Sequence, residues 1–362
     1  MNILVVTLLY PLQENPSRGL FVAQHISDLE KNGHSVQIVN PLPRMIRYAE
    51  TSRSTLKGVA RTPKKFNTHR NIIFSPKFFD FPDHPFPRFT LRSVRKKSSW
   101  VRKNLGEWKP DHIICHTLFP CAALASKLAR EYGVPWVGVV HGHDFDVGLS
   151  HESTGPHIRR LANDASAIVC VSKRLKDVAK KENVNSNVYH IPCRTEVGND
   201  WARPMKSWKG RWRKEALDIL FAADPRRPEK NYYLTLQTGE ELERRGWKVG
   251  ITKLQHQPHD VVLDRMMTAD VTLVTSTRES GPITARESIL CGTPVIGVDV
   301  GDMGMYLPKQ WIRRADPIDL ADGVEDALQH GWQGIEPKEQ LKFCSEGEVT
   351  KAWSSLLEQL LE

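Results

Sequence analysis

Apolar runs bounded by turn residues alternate along this chain with stretches whose apolar positions recur every three to four residues. Residues 3–8 read as a buried strand. The next stretch places Val22, Ala23, Ile26 and Leu29 on one helical face, with Ser17 as the expected cap and Gly33 as the stop. Residues 36–39 read as a second strand. Beyond about residue 110 the pattern resumes, with strands at 113–115, 137–140, 167–171 and 188–191 and helices at 121–132 and 173–182. It breaks at 192–200, the expected linker, and a stretch with Trp201, Trp208 and Trp212 follows. A second series has strands at 217–222, 248–251, 271–275 and 295–298 and helices at 229–245 and 283–291; from about 317 the chain reads as helical. Such alternation predicts mostly parallel sheets covered by helices on both faces. The expected architecture is α/β with two Rossmann-like domains, 1–192 and 200–345, and a helix at about 346–362 packing back on the first. A length of 362 residues suits two domains. Open α/β sheets hold ligands at the carboxyl ends of their strands, so a cleft between the two domains is the expected site.

Composition narrows the class. A chain with 40% hydrophobic and 26% charged residues can bury ordinary cores, which excludes a disordered protein. No run of about 18 apolar residues occurs, so no spanning helix is expected. The first six residues lack a basic region ahead of their apolar run and read as a strand, not a signal peptide. Six cysteines without a Cys-x-x-Cys pair favour reduced thiols in a cytoplasmic protein over a disulfide frame or a zinc site.

Charge is uneven. Residues 41–110, read as irregular and Pro-rich around 76–87, hold 17 Lys/Arg against four acids, a net +13 in a chain whose total is +9. The densest part, 86–103, interleaves Phe86, Phe89, Leu91, Val94 and Trp100 with basic residues. That pattern suits an anionic membrane surface, and it equally suits a solvated basic face. No helix-turn-helix, zinc-finger or RNA-recognition signature accompanies it, so no nucleic acid is expected.

The segment richest in candidate chemistry runs from Ser276 to Gly297. A strand feeds a short loop carrying Glu279, Pro282 opens a helix, Glu287 lies within it and Gly292 stops it. The amides of Gly281, Pro282's successor Ile283 and Thr284 would lack intrahelical partners, and a helix N-terminus of that kind suits a diphosphate. Two solvated carboxylates on a capped core helix would give the same local pattern.

This segment resembles the Glu-x7-Glu motif of retaining GT-B glycosyltransferases of family 4. Asn15–Val22 is similar to that family's N-terminal loop and helix, Gly33-His34-Ser35-Val36 to its Gly-His-x-Val strand entry, and His141-Gly142-His143-Asp144 to its His-Gly-x-Asp turn. Val171-Ser172-Lys173 resembles its Val-Ser strand end, and Arg226-Arg227-Pro228-Glu229-Lys230-Asn231 its donor-phosphate loop. The resemblance covers about 1–40 and 111–305. Pro192-Cys193-Arg194-Thr195-Glu196 stands where the family often has Pro-Asn-Gly-Val-Asp, and Pro225 stands at a common Arg position.

The resemblance implies transfer of a sugar from a nucleoside diphosphate, UDP- or GDP-linked, with no metal or other cofactor. It implies catalytic roles for Glu279, Lys230 and His141. Arg226, Arg227, Lys230, Glu279, Gly281, Pro282, Ile283, Thr284 and Glu287 would bind the donor, with Glu279 on the sugar hydroxyls and Glu287 on the ribose. Arg18, Gly19 and Asp144 would lie on the acceptor side. Family members most similar at Pro225–Asn231 build envelope polysaccharides such as teichuronic-acid-type chains. A lipid-linked or oligosaccharide acceptor is therefore expected, at the inner face of the plasma membrane, with 41–110 against the lipid. A sugar-nucleotide epimerase and a non-catalytic nucleotide-sugar or nucleic-acid binding protein are the alternatives.

Overall fold

The structure, a computed structural model, describes residues 1–45, 56–68, 71–81, 84–205, 216–255, 257–330 and 336–361. Trp208, Trp212 and parts of 41–110 lie outside the described residues. The chain divides into two compact units, Met1–Pro192 with Val349–Glu362, and Cys193–Glu348.

In unit 1 the elements run β1 (Asn2–Thr7), α1 (Leu20–Lys31), β2 (Ser35–Val39), β3 (Leu42–Pro43), β4 (Lys65–Asn67), β5 (Ile72–Phe74), β6 (Lys77–Phe78), α2 (Pro87–Arg95), α3 (Ser98–Leu105), β7 (His112–His116), α4 (Ala122–Tyr132), β8 (Trp136–Val140), α5 (Gly155–Asp164), β9 (Ala167–Cys170), α6 (Lys173–Lys181) and β10 (Val188–His190). The sheet order is β10-β9-β8-β7-β1-β2-β5-β4, parallel except for β4 against β5. Strand β1 is central. Val5 pairs with Ile38 on one side and Ile114 on the other, and Ile3–Val6 are fully buried. Strands covered on both faces need continuous apolar runs, which is why β1, β7, β8 and β9 stand out in the sequence. Because β1 has β2 on one side and β7 on the other, chain order reverses between β1 and β7. The ends of β1, β7 and β8 therefore form the natural ligand edge of this sheet.

Three local expectations change. Gly19, not Ser17, caps α1; its φ of 65° is left-handed, and a Cβ there would stand 2.5 Å from the Leu9 carbonyl carbon and oxygen. The segment 41–110 is not irregular, since it supplies strands β3 to β6 and helices α2 and α3. Within it, Leu91 and Val94 are 3% and 0% exposed and belong to the core, whereas Phe86 and Phe89 are 60% and 49% exposed. Leu91 and Val94 are thus unavailable to a membrane. Finally, Asn231, with φ of 49°, interrupts the helix expected at 229–245, leaving a turn at Pro228–Lys230 and then α7 (Tyr232–Arg244).

Unit 2 opens with β11 (Ala216–Phe221) and α7, then adds β12 (Lys248–Lys253), α8 (His259–Thr268), β13 (Val271–Val274), α9 (Ile283–Leu290), β14 (Val295–Val298), β15 (Ile312–Arg313), α10 (Pro317–His330) and α11 (Pro337–Gln340). Its parallel sheet has the order β12-β11-β13-β14-β15. Helix α8 occupies the span before Asp270, between the strands expected at 248–251 and 271–275, where the sequence pattern assigned no element. The last helix, α12 (Glu346–Gln359), begins in unit 2, and from Val349 onward it belongs to unit 1. There it buries Val349, Trp353, Leu356 and Leu357.

Candidate active site

Unit 2 brings its candidate residues together where β11 and β13, adjacent strands, end. The loop after β11 carries Arg226, Arg227 and Lys230, and the loop after β13 carries Glu279. The two loops are fastened to each other. Thr277 N donates to Glu229 O at 2.9 Å, and Thr275 Oγ1 donates to Lys230 O at 3.1 Å and Asn231 O at 3.0 Å. Thr275 Oγ1 also meets Thr235 Oγ1 at 2.9 Å. On that frame Lys230 Nζ donates to Glu279 Oε1, and Ser276 Oγ donates to the same oxygen at 2.7 Å. Both side chains of the ion pair are largely enclosed, so it is more than a surface contact.

Glu279 leads through Gly281 and Pro282 into α9, whose first amides have no intrahelical partner. Glu287, on α9, is buried and accepts from His259 Nε2 at 2.8 Å. That hydrogen bond raises the His259 imidazole above its ordinary 6.5, against the opposing effect of burial. Behind the loop, Arg286 and Asp302 form a completely buried ion pair, and Arg286 also donates to Cys193 O at 3.4 Å. A Cβ at Gly281 would lie 2.8 Å from Arg286 Nη2 and 3.1 Å from Asp302 Oδ2, so this glycine lets the loop rest on the pair. Gly301, with φ of 65°, approaches the Ser280 carbonyl and the Glu279 Cβ from the same side.

Arg226 and Arg227 are engaged locally. Arg226 Nη2 pairs with Asp224 at 2.9 Å and Arg227 Nη2 with Glu229 at 2.6 Å, and both guanidinium groups are well exposed. Of the basic groups in this loop, Lys230 is the one joined to the Glu279 loop by an ion pair among the described residues.

Unit 1 holds the remaining candidates. His141 follows β8 directly and His116 ends β7. His116 Nδ1 lies 2.8 Å from His141 Nε2, and His116 Nε2 lies 3.1 Å from His25 Nδ1 on α1. Phe21 packs on His141 with ring centroids 4.5 Å apart, and Trp353 packs on His25 at 4.4 Å. Loss of solvent holds His25 and His141 down to about 3, and His116 also lies well below 6.5. Thr117, next to His116, has φ of 67°, an unusual conformation for a β-branched residue, and its amide donates to Val139 O at 3.0 Å.

The three residues expected on the acceptor side are tied to backbone. Gly19 allows close approach to Leu9. Arg18 is buried, and its guanidinium donates to Tyr10 O at 2.9 Å and to Leu8 O, with burial pulling it down to about 10. Asp144 accepts from Leu118 N at 2.9 Å and Phe119 N at 3.1 Å. Asp144 and Asp146 make an Asp-x-Asp sequence, but Asp146 is paired with Arg174 at 2.7 Å. Among the described residues no group of three or more His, Cys, Asp or Glu side chains could hold a metal ion.

Sequence patterns do not reveal His259, Arg286, Asp302, His25 or His116. Each meets its partner through the sheet topology, with no local spacing to signal it.

Residues 19–195 match the model of Glycosyltransferase Family 4. A Bacillus subtilis (strain 168) protein named as a teichuronic acid biosynthesis glycosyltransferase, TuaC, is 23% identical over 332 residues, 85% of this chain and 84% of that protein. Among solved structures, the sucrose-phosphate synthase of Thermosynechococcus elongatus has a TM-score of 0.69 at 14% identity, covering 99% of this chain and 98% of that one. Anabaena HepE, in complex with UDP and glucose, has a TM-score of 0.60 at 12% identity, covering 99% and 100%. Through residues 19–195 the chain thus resembles Glycosyltransferase Family 4, and its two α/β units have the GT-B fold.

Proposed function

We propose that this protein is a glycosyltransferase that moves a sugar from a UDP- or GDP-linked donor to a hydroxyl of a lipid-linked or oligosaccharide acceptor in envelope polysaccharide synthesis, retaining the anomeric configuration. The observation that carries the reading is the Lys230–Glu279 pair at the adjoining ends of β11 and β13, beside the N-terminus of α9. A diphosphate needs cations and free amides, and a sugar needs a fixed acceptor for its hydroxyls. This arrangement supplies all three within one unit.

In the reaction, negative charge grows on the leaving diphosphate as the anomeric carbon becomes oxocarbenium-like. Lys230 neutralises that charge, and the amides and dipole of α9 add to it without bound metal. Arg226 and Arg227 exchange Asp224 and Glu229 for phosphate oxygens. Glu279, aimed by Ser276, holds the sugar hydroxyls, and Glu287 holds the ribose. These two act by alignment. His141 takes the sugar-contacting role that the resemblance implies for it. Likeness to TuaC supports the envelope-polysaccharide setting, and the UDP and glucose bound by HepE support the donor class.

The acceptor side works at a membrane surface in the cytoplasm. Phe79, Phe81, Phe86 and Phe89 form an exposed cluster with ring centroids 5.7 to 6.3 Å apart in three pairs. Arg44 lies over Phe79 at 4.5 Å, and Arg88, Arg92, Arg95 and Lys96 are exposed nearby on α2 and its end. Aromatic rings inside a rim of cations suit an interface of anionic lipid.

The test is a thermal-unfolding panel of UDP-, GDP-, ADP- and CMP-linked sugars against the wild-type chain and Lys230→Ala. A ligand at 100 times its dissociation constant stabilises by about 2.7 kcal/mol. One donor is expected to raise the midpoint of the wild type and not of the variant. A flat panel with the wild type would overturn the donor assignment.

A further inference from the structure

Each nitrogen-to-nitrogen contact in the His25–His116–His141 chain requires one hydrogen and one lone pair. Three neutral rings can satisfy both contacts in only two ways. Either every ring carries its hydrogen on Nδ1 and the chain donates from His25 toward His141, or every ring carries it on Nε2 and the chain donates the other way. The far end chooses between them. His25 Nε2 is buried with no hydrogen-bond partner among the described residues. Folded proteins tolerate a bare buried acceptor better than an orphaned N–H, so this nitrogen is the lone pair and the hydrogen sits on Nδ1.

We propose that His116 and His25 are positioning residues for His141, holding it as a neutral ring whose Nδ1 bears the hydrogen. His141 then presents a donor, and never a base, at the carboxyl end of β8. This goes beyond the assignment of His141 to the donor sugar and rests on that assignment only for its catalytic consequence. A neutral donor stabilises a sugar hydroxyl or a polarised oxygen. It neither repels the oxocarbenium-like centre nor competes with a phosphate oxygen for the acceptor's proton.

Burial opposes charge on all three rings. The rings that face each other are themselves imidazoles, and the aromatic neighbours Phe21 and Trp353 offer no counter-ion. Asp28 and His34 line the small crevice beside His25, between α1 and the last part of α12. Cys121 interacts with Cys115, Asp144 and Arg18. Asp144, the nearest carboxylate of that second group in sequence to His141, is held by the amides of Leu118 and Phe119. The strained backbone at Thr117 fixes where His116 points, because its amide is pinned to Val139 O on the neighbouring strand.

The test is two-bond nitrogen–proton correlation spectroscopy on the full chain labelled with 15N-histidine, which reads tautomer and charge ring by ring without any substrate. The three rings are expected in the Nδ1–H form, unchanged between about pH 5 and pH 8, where an ordinary imidazole titrates. In His116→Leu the His141 signals should move with pH toward an ordinary titration and show mixed tautomers. In His116→Asn, whose amide nitrogen stands near the place of Nδ1, they should return to the wild-type pattern. An Nε2–H signature on His141, or its titration within that window in the wild type, overturns the proposal. So does a His116→Asn spectrum like that of His116→Leu. The wild-type spectrum decides the tautomer even if a variant fails to fold, and it does so whichever nucleotide sugar the protein uses.

Discussion

Lys230 Nζ donates to Glu279 Oε1 across 49 positions of sequence, and Ser276 Oγ donates to the same carboxylate. The residue proposed for the leaving diphosphate and the residue proposed for the sugar are therefore each other's counter-ion. In that reading donor binding gives each a further partner on the same molecule. Lys230→Ala and Glu279→Ala are each expected to lower turnover more than about 10-fold, since losing one transition-state donor costs about 3 kcal/mol. Steady-state rates, read beside melting curves that show an intact fold, check this. Near-normal turnover in both variants would contradict it.

The His259–Glu287 contact has a signature in pH. The hydrogen bond to Glu287 raises His259 in the folded chain above 6.5, with Glu287 and Asp260 both favouring its charged form. A raised value means that the contribution to stability is complete below the unfolded value. It is lost as pH rises through the folded one. His259→Gln should thus lower the melting midpoint at about pH 5.5 and leave it unchanged at about pH 9. The imidazole is half exposed, so the difference should stay below about 1 kcal/mol. A pH-independent difference would rule the ion pair out as its cause.

Arg286 and Asp302 are fully buried and bonded to each other. Removing one partner strands the other charge, at a cost of about 3–5 kcal/mol, whereas removing both leaves no stranded charge. Arg286→Met is expected to destabilise by about that amount and to loosen the Gly281 loop. Adding Asp302→Asn should recover much of the loss. Urea titrations of the two singles and the double close the cycle, and losses that simply add would show the pair is not coupled.

The exposed phenylalanines separate apolar insertion from charge attraction. Phe81→Ser with Phe86→Ser and Phe89→Ser should weaken binding to anionic vesicles at every salt concentration. Arg88→Glu with Arg92→Glu and Arg95→Glu should weaken it chiefly at low salt, because exposed charges are screened within about 8 Å at physiological ionic strength. Vesicle sedimentation across a salt series reads both. Equal binding of the wild type to neutral and anionic vesicles would remove the electrostatic part.

The strands were legible in the sequence because parallel strands buried on both faces, such as β1 with Ile3–Val6, are unbroken apolar runs. Helix α2 was not, because its buried face includes Thr90 and Ser93 while arginines and Phe89 crowd the other side. The α1 cap is not legible, because Gly19 is set by its closeness to Leu9, which spacing does not reveal. Lys230 and Glu279 could be picked out because each sits in a local motif. His259–Glu287, Arg286–Asp302 and His25–His116 lie 28, 16 and 91 positions apart, joined only once the chain has folded.

The residues of α12 from Val349 onward belong to unit 1, with Trp353 packed on His25. They are also synthesised after all of unit 2. The first unit therefore cannot finish its core as it leaves the ribosome. Val349, Trp353, Leu356 and Leu357 arrive only after the second unit's whole length has emerged. The His25 end of the imidazole chain stays uncovered until then, so the histidine cluster is one of the last parts of the protein to be assembled.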